Sequence, residues 1–254
     1  MVMIINHSRE NQEEGIAGVL LVDKPAGLTS FKMVQQVRRA TMVNKVGHAG
    51  TLDPFATGLL VIGVGRPATR LMSRLMDGEK EYIATLRLGI ETETQDLTGR
   101  IVTQLPVPEL TRVEINGVLQ QFVGESLQIP PRFSALKFQG KPLYFYARKG
   151  ILVEKGPRPV IIKELALLDF ADDSLVVRVR CSKGTYIRTL AEDIGRALGC
   201  GAHLTTLRRI KSGSFSVHDS LCGQDLADRE KAFVLVREYI IGIIEITDRL
   251  GNFI

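Results

Sequence analysis

Residues 47–58 read GHAGTLDPFATG, and the interpretation of the chain turns on them. Gly47, Gly50 and Gly58 remove side-chain bulk and admit positive φ, so the backbone can come close to a ligand. Asp53 stands in the middle, and Pro54 after it biases Asp53 towards an extended backbone. A carboxylate on a stiff loop between glycines is placed to project into a cleft. The same pattern suits an Asp that caps a turn or a helix, and the stretch alone does not choose between them.

Towards the N-terminus, GVLLV at Gly18–Val22 is an apolar run stopped by Asp23-Lys24-Pro25, which predicts a strand ending in a turn. Thr29 or Ser30 then caps a helix carrying Phe31, Val34, Val37 and Thr41 at helical spacing. Towards the C-terminus, Leu59–Val64 reads as a buried strand, and Pro67 opens a short helix to about Leu75. Lys80–Leu88 alternates as a strand does, Gly99–Gln104 is another strand, and Glu109–Phe122 is an amphipathic helix. Val160–Phe170 and Ser174–Cys181 form a hairpin over Asp172-Asp173. Tyr186–Leu198 is a helix closed by Gly199, His203–Arg209 a strand, and 225–254 mostly helical. No regular βαβ alternation emerges. The expected class is α+β, a mixed, mainly antiparallel sheet flanked by helices.

The 254 residues suffice for one large domain with a real core. Residues 1–15 are polar with paired charges and read as a flexible tail rather than a signal peptide. No apolar run approaches the ~18 residues of a membrane span. Cys181, Cys200 and Cys222 lie far apart and are odd in number, as expected of reduced thiols in a cytoplasmic protein. With His203 and His218 they fit no zinc template. Gly63-Val64-Gly65 lacks the third glycine of a dinucleotide fingerprint, and no phosphate loop, HExxH or GxSxG motif is present. The chemistry is expected to use side chains alone, without metal or cofactor.

Two segments support the functional reading of Asp53. Ser182–Thr189 joins a strand to a helix and sets Lys183, Tyr186 and Arg188 at the helix start. Cations there oppose the macrodipole, which calls for a nearby carboxylate or phosphate. Arg188 paired with Asp53 would lower its pKa by ~1–3 units and keep it ionised; otherwise it is an ordinary surface arginine. Tyr82, on a predicted strand, can stack on a base or simply pack in the core.

Charge is concentrated further on. Arg132, Lys137, Lys141, Arg148, Lys149, Lys155, Arg158 and Lys163 face only Glu154, a local charge of +7 in a chain of net +5. The remainder is therefore net −2. Phe133, Phe138, Tyr144, Phe145 and Tyr146 are interleaved. Cations for phosphates with aromatics for bases is a signature of loop or single-stranded RNA binding.

At this point the motifs resemble a known family. GHAGTLDPFATGLL (47–60) resembles the catalytic signature of the TruB-type tRNA pseudouridine-55 synthases, bacterial type. Asp23–Ser30, Lys80-Glu81-Tyr82, Thr94–Gly99, Ser182–Thr189 and Leu207-Arg208-Arg209 resemble further motifs of that family, in its order, over about residues 15–215. Pro130–Lys137 with Gly140–Tyr144 resembles its thumb insertion. The resemblance implies a pseudouridine synthase fold with a central RNA-binding cleft. It implies a catalytic domain at 16–222 that includes a basic thumb-like insertion at about 124–155. Asp53 would be the catalytic aspartate, Arg188 its partner, Tyr82 the base-stacking tyrosine, and His48 a group beside the flipped nucleotide. Tyr186, Leu207 and Lys24 would line the pocket. RNA contacts would come from Arg132, Lys137, Lys141, Tyr144, Arg148 and Lys183.

The implied reaction isomerises uridine-55 in the T-loop of tRNA. The implied protein is a cytoplasmic monomer with tRNA as partner and no obligate protein partner. The chain departs from many relatives at its end, where 223–254 read as a helical segment and no complete PUA domain is recognised. Two other readings stay open: a non-catalytic tRNA-folding chaperone on the same fold, and an unrelated hydrolase pairing Asp53 with Asp96.

Overall fold

The computed structural model describes residues 16–251, so the expected tail at 1–15 and the last residues of the C-terminal segment lie outside the described residues. In chain order the elements are β1 (Gly18–Lys24), α1 (Ser30–Thr41), β2 (Val46–Ala49), β3 (Thr57–Val64), α2 (Gly65–Arg70), α3 (Met72–Met76), β4 (Lys80–Leu88), β5 (Ile90–Thr92), β6 (Ile101–Gln104), α4 (Arg112–Gln121) and β7 (Gly124–Gln128). Then come β8 (Lys137–Phe138), β9 (Lys141–Pro142), α5 (Leu143–Ala147), β10 (Arg158–Ala171), β11 (Ser174–Cys181), α6 (Ile187–Ala197), β12 (Ala202–Ser212), β13 (Phe215–Ser216), β14 (Leu221–Cys222), α7 (Arg229–Tyr239) and α8 (Ile243–Gly251).

Ten strands make one sheet in the order β14-β1-β3-β12-β4-β11-β10-β7, with β2 added to β3 and β13 to β12. Only β1–β14 and β3–β12 run parallel; the other pairs are antiparallel. The mixed, mainly antiparallel sheet is the one the pattern predicts. Each β4 residue with an even number from Lys80 to Leu88 is buried, and the odd ones are less so. That is the period-two signature of a strand with one face in the core. Thr29 is the N-cap of α1, accepting from the Lys32 amide at 3.0 Å. Thr111 and Glu114 close a capping box at α4, satisfying two amides that would otherwise be orphaned.

The core has three parts. One lies between β4, β10, β11 and β12 and the helices α4 and α6. From α6 it takes Ile187, Leu190, Ala191, Ile194 and Leu198, and each large aliphatic side chain there contributes ~1.5–3 kcal/mol on burial. The second packs α1 and α7 on one face of β1 and β3, and the third packs residues of α2, α3 and α8 on the other. Ala232, Val236 and Ile246 anchor the C-terminal helices in these cores. Among the described residues no helix is long and apolar enough to cross a membrane.

Two expectations need correction. Residues 47–58, read as loop throughout, begin in β2 and end in β3. The glycines hid the pattern, because β2 pairs by backbone, with Gly47 opposite Gly63. The insertion is also shorter than expected. Residues 124–128 are β7, the edge strand of the main sheet, paired with β10 up to Gln128↔Arg158. The chain leaves the sheet after Gln128 and returns to it at Arg158.

The two halves of the sheet meet at β3 and β12 through Arg208↔Thr57 and Arg209↔Gly58. Gly58 has φ +99°, and a Cβ on it would lie 2.2 Å from the Arg209 carbonyl oxygen. Only glycine permits that approach. The cleft opens beside this junction.

Candidate active site

Asp53 sits on the loop between β2 and β3, and the fold holds that loop from three sides. Ser30 receives the Leu52 amide at 2.9 Å and donates to the Leu52 carbonyl at 3.1 Å. The Lys24 ammonium donates to the carbonyls of Pro25, Leu28 and Pro54 at 2.8, 2.7 and 3.3 Å. Arg209 of β12 donates through Nε to Leu59 (2.7 Å) and through Nη2 to Gly50 (3.1 Å).

The loop forms one wall of an open cleft of about 840 Å³. Asp53, Tyr82, Lys183, Tyr186, Arg188 and Leu207 all line it, so six residues drawn from between positions 53 and 207 converge. Arg188 comes from the first turn of α6, with only 5% of its side chain exposed, against 31% for Asp53. Its Nε meets Asp53 Oδ2 at 2.9 Å and its Nη2 meets Oδ1 at 3.2 Å. This bidentate pair fixes the carboxylate in orientation as well as charge. The remaining donors go to the Thr94 carbonyl (Nη1, 3.0 Å), the Phe133 carbonyl (Nη2, 2.8 Å) and Asp96 (Nη1, 3.5 Å).

Asp96 is therefore a second carboxylate on the far side of Arg188. Its Oδ1 accepts from the Thr94 hydroxyl and from the amide and hydroxyl of Thr98. Its oxygens organise a turn, which leaves little of the carboxylate for paired-carboxylate hydrolysis. Burial outweighs the expected downward pull of Arg188 on the Asp53 pKa. Burial lifts it above the ordinary carboxylate range; Arg188 pulls it down, Asp96 pushes it up, and Lys24 pulls it down again, with burial the largest influence.

Tyr82, 8% exposed, presents its cleft-facing side from β4 opposite Arg209 of β12. Burial pushes its hydroxyl pKa up. Leu207 stands on β12 opposite Ala84. The Tyr186 backbone is clamped by Gln128, whose Oε1 accepts from its amide at 2.7 Å while Nε2 donates to its carbonyl at 3.0 Å. Lys183 lies at the rim, paired with Asp77. Two expected site residues do not line the cleft. Lys24 is wholly buried beneath the loop, its pKa pushed down by burial to about 8. His48 lies on β2, kept neutral at higher acidity than usual by burial and the nearby Arg209. Its buried Nδ1 has no partner among the described residues.

Arg132, Lys137, Lys141, Tyr144 and Arg148 are exposed on the insertion, away from the cleft lining. No carboxylate pairs with these cations among the described residues; Lys163, by contrast, pairs with Glu79. The aromatics are largely occupied with one another. Phe138 and Phe145 both pack edge-on against Tyr146, at 5.7 and 5.5 Å. Lys155 lies 4.3 Å over Phe138, Lys141 and Lys149 4.6 and 4.5 Å over Phe145, and Arg148 5.4 Å over Tyr144. The small cluster holds the insertion together, and Tyr144, 42% exposed, is the aromatic it leaves open to solvent. Sequence reasoning missed Gln128, Lys80 and Arg209 as parts of the site, and named Asp96 only as a hydrolytic partner of Asp53 and not as a second carboxylate on Arg188. Lys80 and Arg209 stood in quoted motifs, but nothing in the sequence told which way they point.

The TruB family pseudouridylate synthase N-terminal domain matches residues 38–187, and the tRNA pseudouridylate synthase B C-terminal domain matches residues 188–241. The chain belongs to the TruB family. Asp53 falls in the first family region and Arg188 begins the second, yet both lie in one cleft. The chain is 57% identical over 220 residues to tRNA pseudouridine synthase B of Desulfotalea psychrophila, covering 85% of this chain and 89% of that protein. It is 48% identical over 235 residues to the protein of the same name from Bordetella pertussis, covering 91% and 96%. Among solved structures, a chain of a Cbf5-Nop10-Gar1 complex aligns with TM-score 0.69 at 28% identity, over 91% of this chain and 62% of that one. A chain of an H/ACA ribonucleoprotein bound to a substrate RNA containing 2′-deoxyuridine aligns with TM-score 0.63 at 27% identity, over 90% and 57%. This chain thus spans about three-fifths of those solved chains.

Proposed function

We propose that this chain converts uridine-55 in the T-loop of tRNA to pseudouridine, acting as a cytoplasmic monomer, with Asp53 as its catalytic carboxylate. The observation that carries the reading is the Asp53–Arg188 pair at the floor of an open cleft, 2.9 Å at its closest, in a chain of the TruB family.

The reaction breaks the N1–C1′ bond of uridine and forms a C5–C1′ bond. The C5 proton is lost and N1 gains one, so no electrons are exchanged. The target base must leave its stack to expose these atoms. Tyr82 and Leu207 offer the flipped base a face and an apolar edge. Asp53, held in one orientation by Arg188, acts as nucleophile or base in its ionised form. The cations of 132–155 that have no ion pair among the described residues grip phosphates outside the cleft.

Tritium release from C5-labelled uridine in an unmodified tRNA transcript reads the reaction directly. Wild type should release label from one T-loop uridine. Asp53→Asn should release none while binding the transcript with affinity within a few-fold of wild type. Binding by wild type without release would identify a tRNA-folding chaperone instead. Equal loss of binding in Asp53→Asn would make Asp53 structural.

A further inference from the structure

The cations around the cleft outnumber the carboxylates that answer them. Asp53 and Asp96 both face Arg188, and Asp77 faces Lys183. Lys24 feels Asp53 and Lys80 feels Asp77 only at a distance; neither they nor Arg209 form an ion pair among the described residues, yet all three residues are at least nine-tenths buried. Uncompensated buried charge is costly, so such groups are normally paired or answered by a ligand. The charge balance of the cleft therefore suits an anion.

Donor capacity shows which cation can take it. Lys24 spends its three N–H groups on the carbonyls of Pro25, Leu28 and Pro54. Lys80 spends its three on Met76, Asp77 and Gly78, at 2.9, 3.3 and 3.1 Å. Arg209 differs. Its Nε goes to Leu59 and its Nη2 to Gly50, and the guanidinium also interacts with the Tyr82 hydroxyl in the cleft, but no carbonyl or carboxylate accepts from Nη1 among the described residues. Arg209 also lines the cleft, as Lys24 does not. Gly50, at φ +89°, keeps that nitrogen uncovered: a Cβ there would lie 3.5 Å from Nη1.

We propose that the Arg209 guanidinium seats a phosphate flanking the target uridine, through Nη1, beside Tyr82 and next to the Asp53 loop. This deepens the function proposed above and rests on it. The backbone bonds to Leu59 and Gly50 hold the fork rigid, so the phosphate is located relative to the Asp53 loop and not merely attracted. Lys24 and Lys80, both pushed by burial to a pKa of about 8, supply field without contact. An arriving phosphate relieves the repulsion that Arg209 exerts on each of them.

The test is a cycle between protein and RNA. Synthetic T-arm hairpins carry a neutral methylphosphonate at either the 5′ or the 3′ linkage of the target uridine, and kcat/KM is measured with wild type and Arg209→Gln. Wild type should lose about 10- to 100-fold with the methylphosphonate at one of the two linkages. Arg209→Gln should lose a similar factor on the all-phosphate hairpin, and nothing further when that same linkage is neutral. Losses that multiply at both linkages would overturn the assignment. Should Arg209→Gln not fold, Arg209→Lys keeps the charge and is put through the same cycle, where a reduced sensitivity to the neutral linkage supports the seat and full sensitivity overturns it. Turnover of the unmodified hairpin by wild type reads the parent proposal independently, so the two failures are distinguishable.

Discussion

Replacing Arg188 by methionine keeps most of the side-chain volume and removes the fork. Asp53 then loses both of its close contacts, Asp96 loses its opposing charge, and the carbonyls of Thr94 and Phe133 lose a donor. Removing one partner of a buried pair costs ~3–5 kcal/mol. Asp53 is open on its cleft side, with 31% of its side chain exposed, which places the expected loss near the lower end. The loss should depend on pH. Burial holds the folded-state pKa of Asp53 above the ordinary carboxylate value, so the folded protein holds that proton more tightly than the unfolded chain. Stability from this group is greatest below about pH 4 and is lost as pH rises through the folded pKa. Without Arg188 the folded pKa climbs by ~1–3 units more. The stability gap between Arg188→Met and wild type should therefore be narrow near pH 4 and reach its full ~3 kcal/mol by pH 8. The acid limb of kcat should move up by the same ~1–3 units. Urea unfolding at both pH values and a kcat–pH profile measure this. A gap of equal size at both pH values, or an unmoved acid limb, would show that the pair does not control the ionisation of Asp53.

Neutralising Lys137, Lys141 and Arg148 together to glutamine should weaken tRNA binding and reduce the slope of log K against log salt by up to about 2, near 0.7 per lost phosphate contact; filter binding across a salt series measures it, and an unchanged slope would remove the insertion from the RNA interface. Gly58→Ala should cost about 2–4 kcal/mol, since it combines φ +99° with a Cβ placed 2.2 Å from the Arg209 carbonyl. Gly150→Ala, at φ +70° with nothing within 4 Å, should cost only the ~1–2 kcal/mol of the left-handed backbone, and equal urea midpoints for the two would mean the β3–β12 contact tolerates a methyl group.

Much of the fold was legible because its signals are local. Lys80–Leu88 alternates, Thr29 stands ahead of Val34 and Val37 at helical spacing, and Asp172-Asp173 turns a hairpin; each pattern acts within a few residues. Where glycine replaces side chains, as in 46–49, periodicity has nothing to act on, and the strand shows only in backbone pairing across to β3. β7 was lost for a related reason. It is an edge strand whose Glu125, Ser126 and Leu127 are exposed, so no apolar alternation marks it, and the basic run that follows masks its end.

The site was legible in its members more than in its electrostatics. Motif order alone assembled Asp53, Tyr82, Arg188 and Leu207, and the cleft contains all of them. The sign of the Asp53 shift was misjudged because a pairwise rule counts the arginine and omits the burial that makes the pair necessary; here burial is the larger influence. The lysines show the same limit. Lys24 and Lys80 carry the same charge and sit in comparable motifs, but carbonyls consume the donors of both. Arg209 has five donors and a planar fork. It can stitch β12 to the Asp53 loop and still present to the cleft, beside the Tyr82 hydroxyl, a nitrogen that no carbonyl takes, which a lysine clamped by three carbonyls cannot do. Residue type decides how many bonds a cation can make, and the fold decides how many of those it has already made. Only the difference is available to RNA.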